Sequence, residues 1–552
     1  MRNILILLLC LGAVSQLSAQ SNSTKSESPK LVVGIIVDQM RQEYLYRFGS
    51  NFSRGGFNRL VNDGFMLRNA HYNYAPTVTG PGHASVYTGT TPAMHGIINN
   101  DWYDKELRKG VNCVNDPSQK VVGSPQGKGT VSPWRLLTST VTDELKLFTQ
   151  GKSKVIGISI KDRGAVLPAG HRGDAAYWYD GKSGTFVTST YYMNALPQWV
   201  VNFNNRKLPD QYLSKVWDTF LPIEKYTASG PDDSPYEVKL NGKDKSTFPY
   251  DLKTLRKSND DYDLLTSVPF ANDFITEMAK AALDGEKLGQ NTVPDFLAVS
   301  YSTTDAIGHS VGPNAVEIQD TYIRLDRNIE DLLKTLDAKV GAGNYTVFLS
   351  ADHAVADVAQ YLKDNKIPAG YFNYSNVQAT LNDHLKKYFP GKDLVEEIDG
   401  GQVYLNHAAF ESEPASAGVQ MIIATELAMK FLMAQEGVAD VYSESIIRQG
   451  NFSEGGVKGA VIRGHHAKRS GDIVFVLESG WYGAGRPQGT THGSPYTYDT
   501  HVPIIFYGAK IPKGSSVRYH TITDIAPTIS ALLNIKFPSA STGQPVEEIF
   551  EK

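Results

Sequence analysis

Cysteine is almost absent from this chain. Its 552 residues hold two, and Cys10 lies inside an apolar run at the N-terminus. With that run removed, Cys113 stands alone, so neither an intrachain disulfide nor a multi-thiolate metal site can form. Excess charge of one sign is also missing: 54 Lys and Arg against 58 Asp and Glu leave a net charge of −4. That balance argues against a nucleic-acid binder, which needs a basic face. A small anionic substrate needs only local positive charge and stays open. No run of eighteen apolar residues follows the N-terminus, so no membrane span is expected. Internal repeats and low-complexity tracts are lacking too.

What is present begins with a leader. Arg2, the apolar residues 4–14 and Ser18–Ala19–Gln20 read as a signal peptide over residues 1–20. The run is too short to span a membrane, and Leu7–Leu8–Leu9 before Cys10 lacks the small residue of a lipoprotein signal. An exported chain without disulfides fits a bacterial periplasm or medium. No stable membrane association and no nucleic-acid partner are expected, and a monomer is the default expectation.

With 41% hydrophobic residues, the chain can build a large core. Residues 31–37, 154–160, 296–301 and 345–350 are apolar, β-branched runs of buried-strand type. Between the last two, Ile318, Tyr322, Leu325, Ile329, Leu332 and Leu336 recur at three- and four-residue steps, which predicts an amphipathic helix. Strand–helix–strand repetition argues an α/β fold with a central, mostly parallel sheet flanked by helices on both faces. Residues 472–477 and 502–507 read as further strands and 523–533 as a helix. The catalytic core is expected over 30–200, 290–355 and 470–550. Polar, turn-rich residues 200–290, and residues 356–470 with their own helices, read as insertions forming a cap or accessory lobe.

The chemistry-bearing residues follow the strands. Asp38, Asp305, His309, Asp352 and His353 lie at or just after strand ends, and His492 sits in a turn-rich loop. A single strand-end Asp is more often a cap. Asp305–x3–His309 together with adjacent Asp352–His353 points instead to metal ligation, and three Asp with three His can hold two divalent ions. Carboxylate and imidazole without thiolate suit Zn²⁺. Residues 75–85 read as a loop entering a helix, with Thr79 at the N-cap position and Pro81 inside the start. Such a helix start can receive a phosphate or sulfate, and metal coordination would activate the Thr79 hydroxyl. A plain Thr cap remains open, and His83 has no acid near it in sequence. Lys161 and Arg163, alternating at the end of residues 154–160, are candidate clamps for a phosphoryl dianion or a solvated loop. Asn100 is a candidate amide donor or a turn former.

In this order the residues resemble the alkaline phosphatase superfamily: strand-end Asp, Thr loop, Asp–x3–His, Asp–His, late His. The resemblance covers the chain from about Lys30 to Phe550, outside the insertions. It implies two Zn²⁺ per chain. One would be held by Asp305, His309 and His492, the other by Asp38, Asp352, His353 and the Thr79 hydroxyl. Sulfatases in this superfamily carry a C/S-x-P-x-R core, which Thr79–Gly80–Pro81–Gly82 does not match. Nucleotide pyrophosphatase/phosphodiesterases share the Thr and segments like residues 95–100. Lys161 and Arg163 are similar to the Lys-x-Arg pair of PafA-like phosphate monoesterases. That resemblance implies hydrolysis of small phosphate monoesters through a phosphothreonine at Thr79, with Asn100, Lys161 and Arg163 holding the phosphoryl oxygens. A diesterase of the same superfamily and a non-catalytic exported anion binder are the alternatives. A structural Mg²⁺ is not expected, because the Lys-x-Arg cations fall where it would sit.

Overall fold

The computed structural model describes residues 28–551 apart from 125, 126, 128 and 484; the expected leader lies outside them. Ten strands form one sheet. In spatial order they run Gly514–Thr521, Phe65–His71, Ile504–Gly508, Tyr345–Ser350, Leu31–Val37, Asp295–Tyr301, Val155–Ser159, Ala175–Asp180, Thr185–Ser189 and Val121–Val122. The five from Tyr345–Ser350 to Ala175–Asp180 are mutually parallel. Ile504–Gly508 runs antiparallel to both its neighbours. This is the mostly parallel, helix-flanked α/β architecture that the apolar runs predict.

Leu31–Val37 is buried at every position, as a central strand covered on both faces must be. Gly34 in its middle has a packing reason. A Cβ there would lie 2.4 Å from the Tyr87 hydroxyl and 2.5 Å from the Phe348 ring. Tyr87 belongs to the helix Thr79–Thr88, so the bare glycine lets that helix settle onto the sheet. The long helix Val316–Leu336 buries all six residues of the predicted stripe. Each such fully buried apolar side chain contributes about 1.5–3 kcal/mol.

The accessory region differs from expectation. Residues 200–290 are not a separate lobe: Trp217, Tyr250 and Leu252 share one hydrophobic core with Leu31–Val37. Within that span the helix Phe270–Gly285 packs against Val316–Leu336 and Asp295–Tyr301. Scattered aromatics supply this burial, and the polar residues between them mask it in sequence. The second region does carry its own core, around Leu381, Leu405, Ala428 and Phe475. Its four-stranded antiparallel sheet includes Ile473–Leu477, so that strand is not part of the central sheet. The chain rejoins the central sheet only at Ile504. Strand propensity alone cannot say which of two sheets will accept a short apolar run.

Candidate active site

Sheet register assembles the site. Ile36 pairs with both Ser300 and Ser350, and Ser300 pairs with Ser159. These four residues form one row across the carboxyl end of the sheet. Two residues beyond the row stand Asp38, Asp352 and Lys161, just past the ends of three different strands. From the fourth strand the chain turns into the helix Thr303–Val311, which carries Asp305 in its first turn and His309 in its last. This is the edge where parallel α/β sheets place ligands.

Six residues gather into two trios: Asp305 with His309 and His492, and Asp38 with Asp352 and His353. Within each, the ligand atoms lie within 4.8 Å of one another. The three imidazoles are oriented alike. His309 Nδ1 lies 2.8 Å from the Thr490 carbonyl, His492 Nδ1 2.8 Å from that of Thr77, and His353 Nδ1 3.0 Å from that of Ala354. A carbonyl only accepts, so each Nδ1 carries the proton and each Nε2 presents a lone pair to the site. The carboxylates fit cations equally well. Asp38 Oδ1 and Asp352 Oδ2 are buried with no hydrogen-bond partner. Burial, with Asp38 beside it, pushes the Asp352 carboxyl well above the ordinary carboxylate range. Burial holds the His353 imidazole well below its ordinary value, so it stays neutral. Buried carboxylate oxygens left without partners, beside the neutral His353 imidazole, are a donor set for a divalent ion.

Thr79 is almost wholly buried and is the first helical residue; Val78 holds the N-cap position expected for Thr79. The Thr79 Oγ1 is therefore not spent on capping its own helix. It lies 3.5 Å from His353 Nε2 and 3.5 Å from Lys161 Nζ. Asn100 caps that helix instead, accepting from the Gly80 N–H at 2.7 Å through its side-chain oxygen. Among the described residues, no hydrogen bond engages the Asn100 amide hydrogens, which leaves them open as donors at the start of the helix. Gly82, one turn on, sits so close to Asp352 that a Cβ would lie 2.2 Å from its carbonyl oxygen.

Lys161 and Arg163 do not extend a strand. The strand stops at Ser159, whose hydroxyl accepts from Lys161 N at 3.1 Å. Lys161 is then the N-cap of the helix Asp162–Ala169, and Arg163 lies in its first turn. The Lys161 ammonium reaches Asp305 Oδ2 at 2.6 Å and Asp38 Oδ2 at 2.8 Å, bridging the two trios. Burial works against its charge, but Asp305 and Asp38 outweigh that and raise its pKa. Against burial, His309 and Lys161 hold Asp305 well below the usual carboxylate range. The Arg163 guanidinium makes a 3.9 Å contact to Asp162, and among the described residues its Nε has no partner.

Two supporting residues escaped the sequence reading. Gln39, at φ 65°, donates its backbone N–H to Asp352 Oδ1 at 3.1 Å and its amide to Asp305 Oδ1 at 2.6 Å. It ties the two trios together, and its position directly after Asp38 was the available signal. Asp499 Oδ2 accepts from Gly493 N, Ser494 N and Ser494 Oγ at 3.1, 2.8 and 2.6 Å, bracing the His492 loop. His83 does have an acid beside it, though a distant one in sequence: Asp352 Oδ2 at 3.5 Å. Cys113 is buried behind Gly80, and burial pushes its thiol up to about 12. A cavity of about 360 Å³ opens where the accessory sheet meets the core. Val78 and His492 line one side, and Tyr374, Phe475 and Trp481 the other.

This sheet edge, with paired ligand trios around a helix-start threonine, defines a phosphate-ester hydrolase type of site. The chain belongs to the type I phosphodiesterase / nucleotide pyrophosphatase family, whose profile matches residues 32–501, and is a PafA-like member of the alkaline phosphatase superfamily. It is 44% identical over 533 residues to a calcium-transporting ATPase of Myroides odoratus, covering 96% of each chain. It is 42% identical over 547 residues to alkaline phosphatase PafA of Elizabethkingia meningoseptica, covering 98% of each. The crystal structure of wild-type PafA superposes with a TM-score of 0.90, covering 95% of this chain and 99% of that one.

Proposed function

We propose that the protein is a phosphate monoesterase of the alkaline phosphatase type, with two Zn²⁺ per chain and Thr79 as nucleophile. One observation carries the reading: a buried threonine hydroxyl lies 3.5 Å from the His353 Nε2 of one Asp/His trio and 3.5 Å from a lysine ammonium that bridges both trios. Zinc ions held by the trios would supply Lewis acidity, easing deprotonation of Thr79 and of water and taking up leaving-group charge.

The chain's own residues do the rest. Thr79 Oγ1 attacks phosphorus in line, forming a phosphothreonine as the ester P–O bond breaks. The alcohol leaves on the side of Asp305, His309 and His492, next to the cavity under the accessory sheet. Asn100 donates its free amide hydrogens to one non-bridging oxygen, while Lys161 and Arg163 supply positive charge to the others. Water then attacks the phosphothreonine, breaking its P–O bond, restoring Thr79 and releasing phosphate. The cations favour a monoester, because its dianion offers three non-bridging oxygens and a diester carries one charge.

The signal-peptide pattern expected of residues 1–20 supports export to a bacterial periplasm or medium. Among the described residues, no helix is long and apolar enough to cross a membrane. The test is direct. Thr79→Ala should lower turnover of p-nitrophenyl phosphate roughly 10³-fold or more with both metals still bound. Retained turnover would refute the nucleophile.

A further inference from the structure

Outside the trios, the strongest unexplained feature is a pair of buried glutamates. Glu317 lies in the first turn of Val316–Leu336 and Glu237 in the irregular segment that crosses above it. Their side chains are 1% and 9% exposed. Each leaves its Oε2 without a hydrogen-bond partner. Among the described residues, no Lys, Arg or His forms an ion pair with either. The other Glu317 oxygen accepts from the Tyr250 hydroxyl, which lies 3.1 Å from Ser246 Oγ. Ser234 and Ser246 hydroxyls face Glu237, and Asp232 lies in the same field. Lys243 is close, yet its ammonium sits over the Tyr250 ring and turns to the Thr247 and Pro249 carbonyls. Two uncompensated buried carboxylates are costly unless a proton or a cation joins them.

We propose that Glu237 and Glu317 are the anionic ligands of a further divalent-cation site, separate from the trios, that takes Ca²⁺. The donors are all oxygen, from carboxylates and hydroxyls, with no imidazole or thiolate, which selects a hard ion. The irregular segment carrying Glu237 suits the flexible, high coordination of calcium better than the rigid octahedron of magnesium. Burial, with Glu317 beside it, pushes the Glu237 carboxyl up to about 10, and burial, with Asp232 and Asp320 nearby, pushes that of Glu317 to about 7. A bound ion would relieve that penalty.

The site also has a route to the catalytic edge. Tyr236 O accepts from Gly489 N at 2.9 Å, and Val238 N donates to Ser310 O at 2.9 Å. Gly489 and Ser310 adjoin Thr490 and His309. Holding Glu237 therefore steadies the backbone behind the His309 imidazole.

The test uses the full-length zinc-loaded protein in calcium-free, zinc-containing buffer, titrated with CaCl₂. Calcium bound per chain is measured by equilibrium dialysis, and Tm by differential scanning fluorimetry. The expected result is one calcium per chain and a saturable rise in Tm that MgCl₂ does not reproduce. Glu237→Gln and Glu317→Gln should each shift the calcium midpoint upward by about tenfold or more, since affinity follows ligand charge. Absence of bound calcium in the unsubstituted protein would overturn the proposal and leave the pair sharing a proton. Equal binding in the variants, or an equal response to magnesium, would overturn it as well. Phosphatase activity is not the readout, so failure here is distinguishable from failure of the monoesterase reading.

Discussion

Lys161→Ala tests the substrate assignment most sharply. The Lys161 ammonium lies 3.5 Å from Thr79 Oγ1 and is mostly enclosed, with its side chain 18% exposed. Loss of one well-placed donor in a site that excludes water costs roughly 2.7–4 kcal/mol, or about 10²–10³-fold in turnover. A monoester presents two negative charges and a diester one, so Coulomb attraction to the lost cation is about halved for the diester. Its expected loss is then about 1.4–2 kcal/mol, near 10–30-fold. The monoester-to-diester ratio of kcat/KM should therefore fall about 10–30-fold. The assay runs p-nitrophenyl phosphate and bis-p-nitrophenyl phosphate in parallel, at saturating zinc and with metal content measured for both proteins. That control matters because Lys161 also pairs with Asp38 and Asp305, so its removal alters the field around both trios. An unchanged ratio at equal metal content would refute the dianion clamp.

Elemental analysis of the purified protein should find about two zinc per chain; one or none would defeat the two-ion reading. Asp499→Ala removes three hydrogen bonds from the His492 loop and should weaken metal affinity about 10–100-fold, measured by competition with a chromogenic chelator. Gly82→Ala would place a Cβ 2.2 Å from the Asp352 carbonyl, forcing Thr79 and Asp352 apart. It should reduce kcat more than it raises KM, and wild-type kinetics would show that the helix can shift freely. Burial lowers the His95 pKa to about 3 from an ordinary 6.5, so its neutral form is favoured in the fold. That stability is fully present above pH 6.5 and is lost as pH falls toward 3, by about 1.4 kcal/mol per unit for one proton. His95→Gln should flatten the decline in Tm over that window.

The trios were legible because their ligands are local to strand ends. Asp38 and Asp352 stand two residues past one row of the sheet, and an apolar run marks where that row lies. Asp305 and His309 needed only helical spacing. What orients them was not legible. The carbonyls of Thr490, Thr77 and Ala354 that fix the imidazoles carry no side-chain identity, and any residue could have supplied them. Gln39 was hidden for another reason: its left-handed backbone turns it back between the trios, a conformation composition does not announce. Asp499 lies seven positions from His492 and acts on it only through the backbone N–H groups of Gly493 and Ser494, one and two positions past it. At the fold level, the run at 473–477 has strand character without any mark of which sheet receives it.

Lys161 and Arg163 show how a residue can be expected near the site and its setting missed. Both were expected on a strand end, where their charges would act alone. Ser159 instead ends the strand, and the pair opens a helix of eight residues. The ten-residue helix beginning at Thr79 also starts at the site. Two helix N-termini therefore converge there, each equivalent to roughly half a positive charge. Their fields add to those of Lys161 and Arg163 and outlast removal of either side chain. Residual monoesterase activity in a double Lys161→Ala, Arg163→Ala variant is therefore expected, with Thr79, Asn100 and the two helix starts still holding the phosphoryl group.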